Sequence, residues 1–201
     1  MNYFKLEEKI GYKFKNAYLL EEALTHSSYA HELIQKNIAS KSNERLEFLG
    51  DAVLEIIAST YLFEALPDTP EGELTRIRSE IICTDALSSY AMELSLGDYL
   101  LLGNGERRHG GKNKLSTLEN AFEALLGAIY LDSGKSIDTV KTFLVPFLAA
   151  KTSVANRDTT DFKSELQHLF LVSRFLCCTR AFPLFFFDCK THRHSDSHSA
   201  V

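Results

Sequence analysis

The chain has 201 residues, 45% of them hydrophobic and 24% charged, which is enough for one full-sized domain with a sizeable core plus an appendage. Its 22 Lys and Arg against 27 Asp and Glu give a net charge of −5, which argues against broad non-specific affinity for nucleic acid. A nucleic-acid enzyme is not excluded, because bound metal ions would neutralise part of an acidic site.

The opening MNYFKLEEKIGYKFKN mixes charges and has no apolar run, so neither a signal peptide nor a membrane anchor is expected there. Residues 3–26 read as two short helices broken at Gly11, the second capped by Asn16 and running to His26, where THSSYA ends it. Substrate contact and turn formation explain His26 and Ser27 equally well. Residues 36–42 form a polar loop, after which Asn43 or Ser42 caps a long helix lasting to about Phe63.

That helix begins with Asn43–Leu54, NERLEFLGDAVL. At about 100° per residue, Leu46, Leu49, Val53 and Ile57 fall on one face, and Glu44, Glu47 and Asp51 on the other. Three carboxylates within two turns repel one another, and a segment that keeps them together usually has something to bind. Oxygen-only ligands suit a hard divalent cation, Mg²⁺ or Mn²⁺, with phosphates completing the coordination. A solvated acidic stripe is the bland alternative. Gly50 weighs against it, since a glycine inside a helix costs about 1 kcal/mol relative to Ala and signals close approach of another backbone. Phe48 lies on the acidic side, where it reads either as an interface anchor or as a side chain covered by another part of the chain.

Pro67 and Pro70 enforce a break. Thr69 reads as the next N-cap, with Glu71 and Glu73 in the first turn, where the helix dipole by itself accounts for them. A further helix follows Thr84. Residues 103–114, GNGERRHGGKNK, are a flexible loop whose Arg107, Arg108, Lys112 and Lys114 suit phosphate contact or simple solvation. Ser116 and Glu119 form an S-x-x-E capping box opening another helix. Its apolar residues, Leu118, Ala121, Phe122, Leu125, Leu126 and Ile129, keep helical spacing, while Asn120, Glu123, Gly127 and Tyr130 lie off that face. A last amphipathic helix spans about Ser136 to Leu148. No strand alternation occurs before residue 160, and there is no repeat, P-loop or GxGxxG, so the body is all-α.

NERLEFLGDAVL, followed about 70 residues later by ENAFEALLGAIYLD, closely resembles the two signature stretches of the ribonuclease III family. The likeness extends over residues 1–150 through ALTHSSYA, EGELTRIRSEI and LGDYLLLGNGE, in a length similar to the bacterial form. The resemblance implies an all-α homodimer that cleaves double-stranded RNA with divalent metal, leaving 5′-phosphate and 3′-hydroxyl ends. It makes Asp51 and Glu123 the catalytic acids and Glu47, Asn120 and Glu123 metal ligands. Glu44 becomes a supporting carboxylate, Glu71 an acid of the dimer's catalytic valley, and Phe48 the aromatic knob that docks into the partner subunit. The family usually carries Asp where this chain has Asn120, so weaker metal affinity is expected.

The organisation implied is a catalytic domain over 1–151, a linker over 152–159, and the first helix of a double-stranded-RNA-binding domain over 160–170. An aberrant, disordered tail is expected over 171–201, the incomplete α+β remnant of that domain. The tail contains no glycine, and its composition resembles a reading-frame change after about Phe170. Its cysteines and histidines lack the paired spacing of a structural zinc site. With only Cys83 before residue 170, a reducing cytoplasm is expected. The leading functional expectation is a metal-dependent endoribonuclease acting on ribosomal RNA precursors and structured messages. The alternative is a catalytically impaired RNA-binding or dimerisation protein, motivated by Asn120 and the broken tail.

Overall fold

The computed structural model describes residues 3–153, which lie within one compact unit. The linker residues 154–159, the helix expected over 160–170 and the tail over 171–201 lie outside the described residues. The architecture is all-α: among the described residues there is no strand, only an isolated parallel bridge between Thr25 and Leu101. The helices are α1 Phe4–Ile10, α2 Ala17–Ala23, α3 Ser27–Gln35, α4 Glu44–Ala65, α5 Glu71–Ile81, α6 Thr84–Glu93, α7 Asn104–Arg108, α8 Leu115–Asp132 and α9, residues 137–153.

The body is arranged around α8. Leu118, Ala121, Phe122, Leu125, Leu126 and Ile129 are all buried, as their spacing requires, but so are Ala124, Gly127 and Ala128. A helix apolar nearly all round belongs inside a bundle, and here α2, α4 and α6 pack around it. Phe122 is fully buried in an aromatic cluster with Tyr90, Phe143 and Phe147, with centroids 5.2 to 6.0 Å apart. At the far end of α8, Asp132 accepts hydrogen bonds from the Tyr12 hydroxyl at 2.7 Å and from the Lys15 and Asn16 amides at 2.8 Å. Burial alone would raise its carboxyl. The three donors and the Lys15 charge outweigh that and hold it below the usual range.

Several expected boundaries move. α1 ends at Gly11, in the left-handed conformation, and the Asn16 side chain caps α2, both as expected. However, α2 stops at Ala23 rather than His26, and THSSYA opens a helix instead of ending one. The His26 ring accepts from the Ser28 amide at 3.2 Å and caps α3. α4 runs two residues further than Phe63, to Ala65, and α5 is entered from Pro70 rather than Thr69.

The glycine-rich stretch 103–114 is not a loose loop. It folds into α7 and a 3₁₀ turn over Gly111–Asn113. Ser28 Oγ accepts from the Gly103 amide at 3.0 Å, and the Glu32 carboxylate accepts from the Asn104 amide and, at 2.9 Å, from its side-chain nitrogen. A Cβ on Gly103 would press on the Ser28 carbonyl, so the sequence needs glycine there for close approach.

Candidate functional site

The acidic residues of α4 meet those of α8 because the two helices cross at glycine. A methyl group at Gly50 would overlap the carbonyl oxygen of Glu123, and one at Gly127 would overlap the carbonyl oxygen of Leu46. Backbone therefore packs on backbone, as the glycine inside the acidic helix implied, and Gly127 is buried at the crossing rather than lying free of the core. Position 46 faces 127 and position 50 faces 123, so the helices run antiparallel. This register sets Asp51, one residue past Gly50, beside the turn of α8 that carries Glu123.

The electrostatics follow from that geometry. Glu123, half-buried on α8, is pushed up to about 8, chiefly by burial and then by the charges of Asp51, Glu119 and Glu47. Glu47 is raised by burial and then by Glu44, Glu119 and Asp51. Every charge acting on these two is a carboxylate. Asp51 and Glu44 are exposed at the rim, where Glu44 accepts from Ser42 Oγ at 2.8 Å. Glu47, Asp51 and Glu123 are thus within electrostatic reach of one another, with Glu44 on the same helix. Asn120 lies three residues before Glu123 on α8, half-buried.

The remaining candidates are distributed differently. Glu71 is exposed in the first turn of α5, accepts from Thr75 Oγ1 at 3.1 Å, and is not among the charges acting on Glu47 or Glu123. Phe48 is 81% exposed, so no part of the described chain covers it. Phe48 itself lines a cavity of about 620 Å³ with Leu19, Leu46, Leu49 and Leu131 and with the charged Glu22, Lys41, Glu44 and Arg45. The basic segment is partly neutralised: Lys112 pairs with Asp98 at 3.4 Å, Lys114 with Glu106 at 3.8 Å, and Arg107 donates to Asn104 Oδ1 at 2.7 Å. Arg108 is exposed.

One residue of the cluster carries a different assignment in the sequence. The Ser116–Glu119 capping box does not form. α8 starts at Leu115 with Lys114 as its N-cap and no side-chain cap, so Ser116 is already inside the first turn. Glu119 instead joins the carboxylates. Its spacing of four from Glu123 was the available signal, outweighed by the S-x-x-E pattern.

All the donors in this cluster are oxygens, a set that suits a hard divalent cation. As the side chains stand, no three Asp, Glu, His or Cys residues among those described are gathered closely enough to hold an ion. What the site offers is unbalanced negative charge around a rigid backbone crossing.

Residues 16–150 match the family model described as Ribonuclease-III-like. Among similar curated proteins, the Ribonuclease 3 of Listeria monocytogenes is 44% identical over 166 residues, covering 82% of this chain and 71% of that protein. The Ribonuclease 3 of Oceanobacillus iheyensis is 47% identical over 163 residues, covering 81% and 70%. Among solved structures, the nuclease domain of the Campylobacter jejuni ribonuclease III is 38% identical with a TM-score of 0.67, covering 75% of this chain and 98% of that one. That structure is described by flexibility in a region involved in dimer formation. Dicer from Pichia stipitis is 26% identical with a TM-score of 0.53, covering 70% of this chain and 57% of that one.

Proposed function

The chain belongs to the ribonuclease III family, and from that premise we propose that it is a divalent-metal-dependent endoribonuclease that hydrolyses double-stranded RNA to 5′-phosphate and 3′-hydroxyl ends. One observation supports this most: carboxylates from two separate helices share one patch, held there by a glycine crossing. Glu47, Asn120 and Glu123 would hold Mg²⁺ or Mn²⁺, with Asp51 and Glu123 as the catalytic acids and Glu44 supporting them. When bound, the ion lowers the pKa of a water and stabilises charge on the scissile phosphate and leaving oxygen.

The protein's own part is to bring the carboxylates of two helices into one patch. Glu123 retains a proton near neutral pH in the metal-free chain, so it has to release that proton to ligate. Asp51 is exposed at the rim of the cluster. The RNA duplex would be read through shape, 2′-hydroxyls and phosphates, with Arg107, Arg108, Lys112 and Lys114 as its basic contacts. Precursors of ribosomal RNA and structured messages are the substrates proposed.

The active form proposed is a homodimer. Phe48 of each subunit would enter the cavity of mixed leucine and charged lining beside Phe48 of the other, an isologous exchange across a two-fold axis. Glu71 would then face the valley between the subunits. No described helix is long and apolar enough to cross a membrane.

Asn120, which contributes an oxygen but no charge, favours a second reading: a protein that binds and dimerises on RNA without cutting it. Incubating the full chain with long duplex RNA and Mg²⁺, beside an Asp51→Ala control, decides between them. Cleavage is expected with wild type, and Asp51→Ala should lose at least about two orders of magnitude, the scale of removing one preorganised charge-stabilising group. Duplex RNA that is bound and left intact by the wild type would move the assignment to the second reading.

A further inference from the structure

Arg107 and Arg108 are carried by α7, and the fastening of that helix to α3 reaches Arg107 through a chain of hydrogen bonds. Ser28 Oγ accepts from the Gly103 amide at 3.0 Å, and a Cβ at Gly103 would meet the Ser28 carbonyl, so the start of α7 is docked directly on α3. One turn along α3, the half-buried Glu32 carboxylate accepts from the Asn104 amide with one oxygen and from Asn104 Nδ2 at 2.9 Å with the other. An ionised carboxylate only accepts, so the amino edge of the Asn104 side chain has to face Glu32 and its carbonyl edge has to face away. That outward Oδ1 accepts from Arg107 Nη2 at 2.7 Å. Among the described residues neither Glu32 nor Arg107 forms an ion pair, and the two opposite charges are joined through a neutral amide.

We propose that Glu32 and Asn104 are positioning residues that aim Arg107 at the RNA backbone. This rests on the proposed function, in which Arg107 is a basic contact to the duplex, and deepens it. A surface arginine loses rotamer freedom when it grips a phosphate, and a guanidinium already held in place loses less. Here Asn104 holds one guanidinium nitrogen, leaving the other N–H groups to donate to phosphate oxygens. Glu32 is an acid beside a polyanion contact, and by charge alone its neutralisation would tighten RNA binding. As a positioning residue it behaves oppositely: without its second acceptor oxygen the Asn104 side chain is free to turn, Arg107 loses its hold, and binding weakens.

The test is duplex RNA binding to the full chain, followed by fluorescence anisotropy in chelator over a salt series. Wild type, Arg107→Ala, Glu32→Gln, Asn104→Ala, Glu32→Gln with Arg107→Ala, and Glu32→Gln with Asn104→Asp are compared. Arg107→Ala is expected to weaken binding about tenfold and to lower the salt slope by about one. Glu32→Gln and Asn104→Ala are each expected to weaken it about threefold, and Glu32→Gln to cost nothing further once Arg107 is removed. Combining Glu32→Gln with Asn104→Asp keeps the wild-type charge, exchanges donor for acceptor between the two side chains and leaves a carboxylate oxygen facing Arg107, so binding is expected to return. Tighter or unchanged binding by Glu32→Gln overturns the inference. So does a loss that is equal with and without Arg107, which mere loosening of α7 would give. If wild type shows no binding, or Arg107→Ala binds as wild type does, the RNA contact itself falls and this role falls with it. If Arg107→Ala binds more weakly and Glu32→Gln does not, only the roles of Glu32 and Asn104 are lost.

Discussion

At Glu123, burial and three neighbouring carboxylates act in the same direction, so the folded chain holds a proton the unfolded chain would release. The unfolded carboxyl titrates near 4.5 and the folded one near 8. Below pH 4.5 both states are protonated and the group is neutral to stability. Between 4.5 and 8 the native state binds more protons, so stability falls as pH rises, and above 8 the penalty is complete. Glu123→Gln should therefore stabilise the metal-free protein at pH 8 and have no effect at pH 4. With solvent screening of a half-exposed site, the gain is about 1–2 kcal/mol, or a few degrees in Tm. Thermal melts in chelator across that range check it, and a variant that melts lower than wild type at pH 8 would mean the cluster is not repulsive. Divalent ions should reverse the ranking, because they stabilise only the chain that can bind them.

Between elements, what decides the site is the approach of α4 to α8. Glycine is a poor helix former, and in isolation Gly50→Ala would favour the helix by about 1 kcal/mol. In the bundle the added methyl meets the Glu123 carbonyl, backbone that has no rotamer in which to move aside. Overpacking of this kind costs about 1–3 kcal/mol, so net destabilisation is expected, together with displaced carboxylates and weaker ion binding. Gly72, in the first turns of α5, has nothing within 4 Å of an added Cβ, and Gly72→Ala should be neutral or slightly stabilising. Denaturant or thermal unfolding of the pair separates the two causes. Equal effects at both positions would show that propensity, not the crossing, governs Gly50. The same kind of close packing explains why 103–114 is folded despite its four glycines: Gly103 lies against α3, and Ser28 and Glu32 take up its backbone donors.

For the whole molecule, the outer side of α4 is unfinished in the single chain. Phe48, Ile56 and Phe63 are exposed along it at 81, 54 and 73%, a row of large apolar side chains that a monomer gains nothing by showing to water. With the cavity beside Phe48, whose leucines are flanked by Glu22, Lys41, Glu44 and Arg45, this face has both a projection and a recess, as a self-complementary interface requires. Phe48→Asp should weaken the proposed dimer at least about a hundredfold, the scale of a central anchor residue, while leaving the monomer folded because Phe48 supports no core. Sedimentation equilibrium with circular dichroism checks both parts. A Phe48→Asp chain that stays dimeric at wild-type concentration would remove the knob from the interface.

The sequence by itself determined the helical class, the apolar stripe of α8 and the carboxylates on α4, because periodicity of 3.6 and residue type are local properties. It also marked Gly50 as a contact point, since an interior glycine is costly unless something needs the space. It misplaced the ends of α2 and α5 and treated THSSYA as a terminator, because the cap that starts α3 is a histidine ring rather than one of the usual capping side chains. Glu119 was misassigned for a different reason. Whether a carboxylate caps its own helix or joins a neighbour's depends on where the helix begins and what crosses it. Only packing of α4 against α8 at Gly50 and Gly127 decided that, by bringing residues about 70 positions apart into one field of charge.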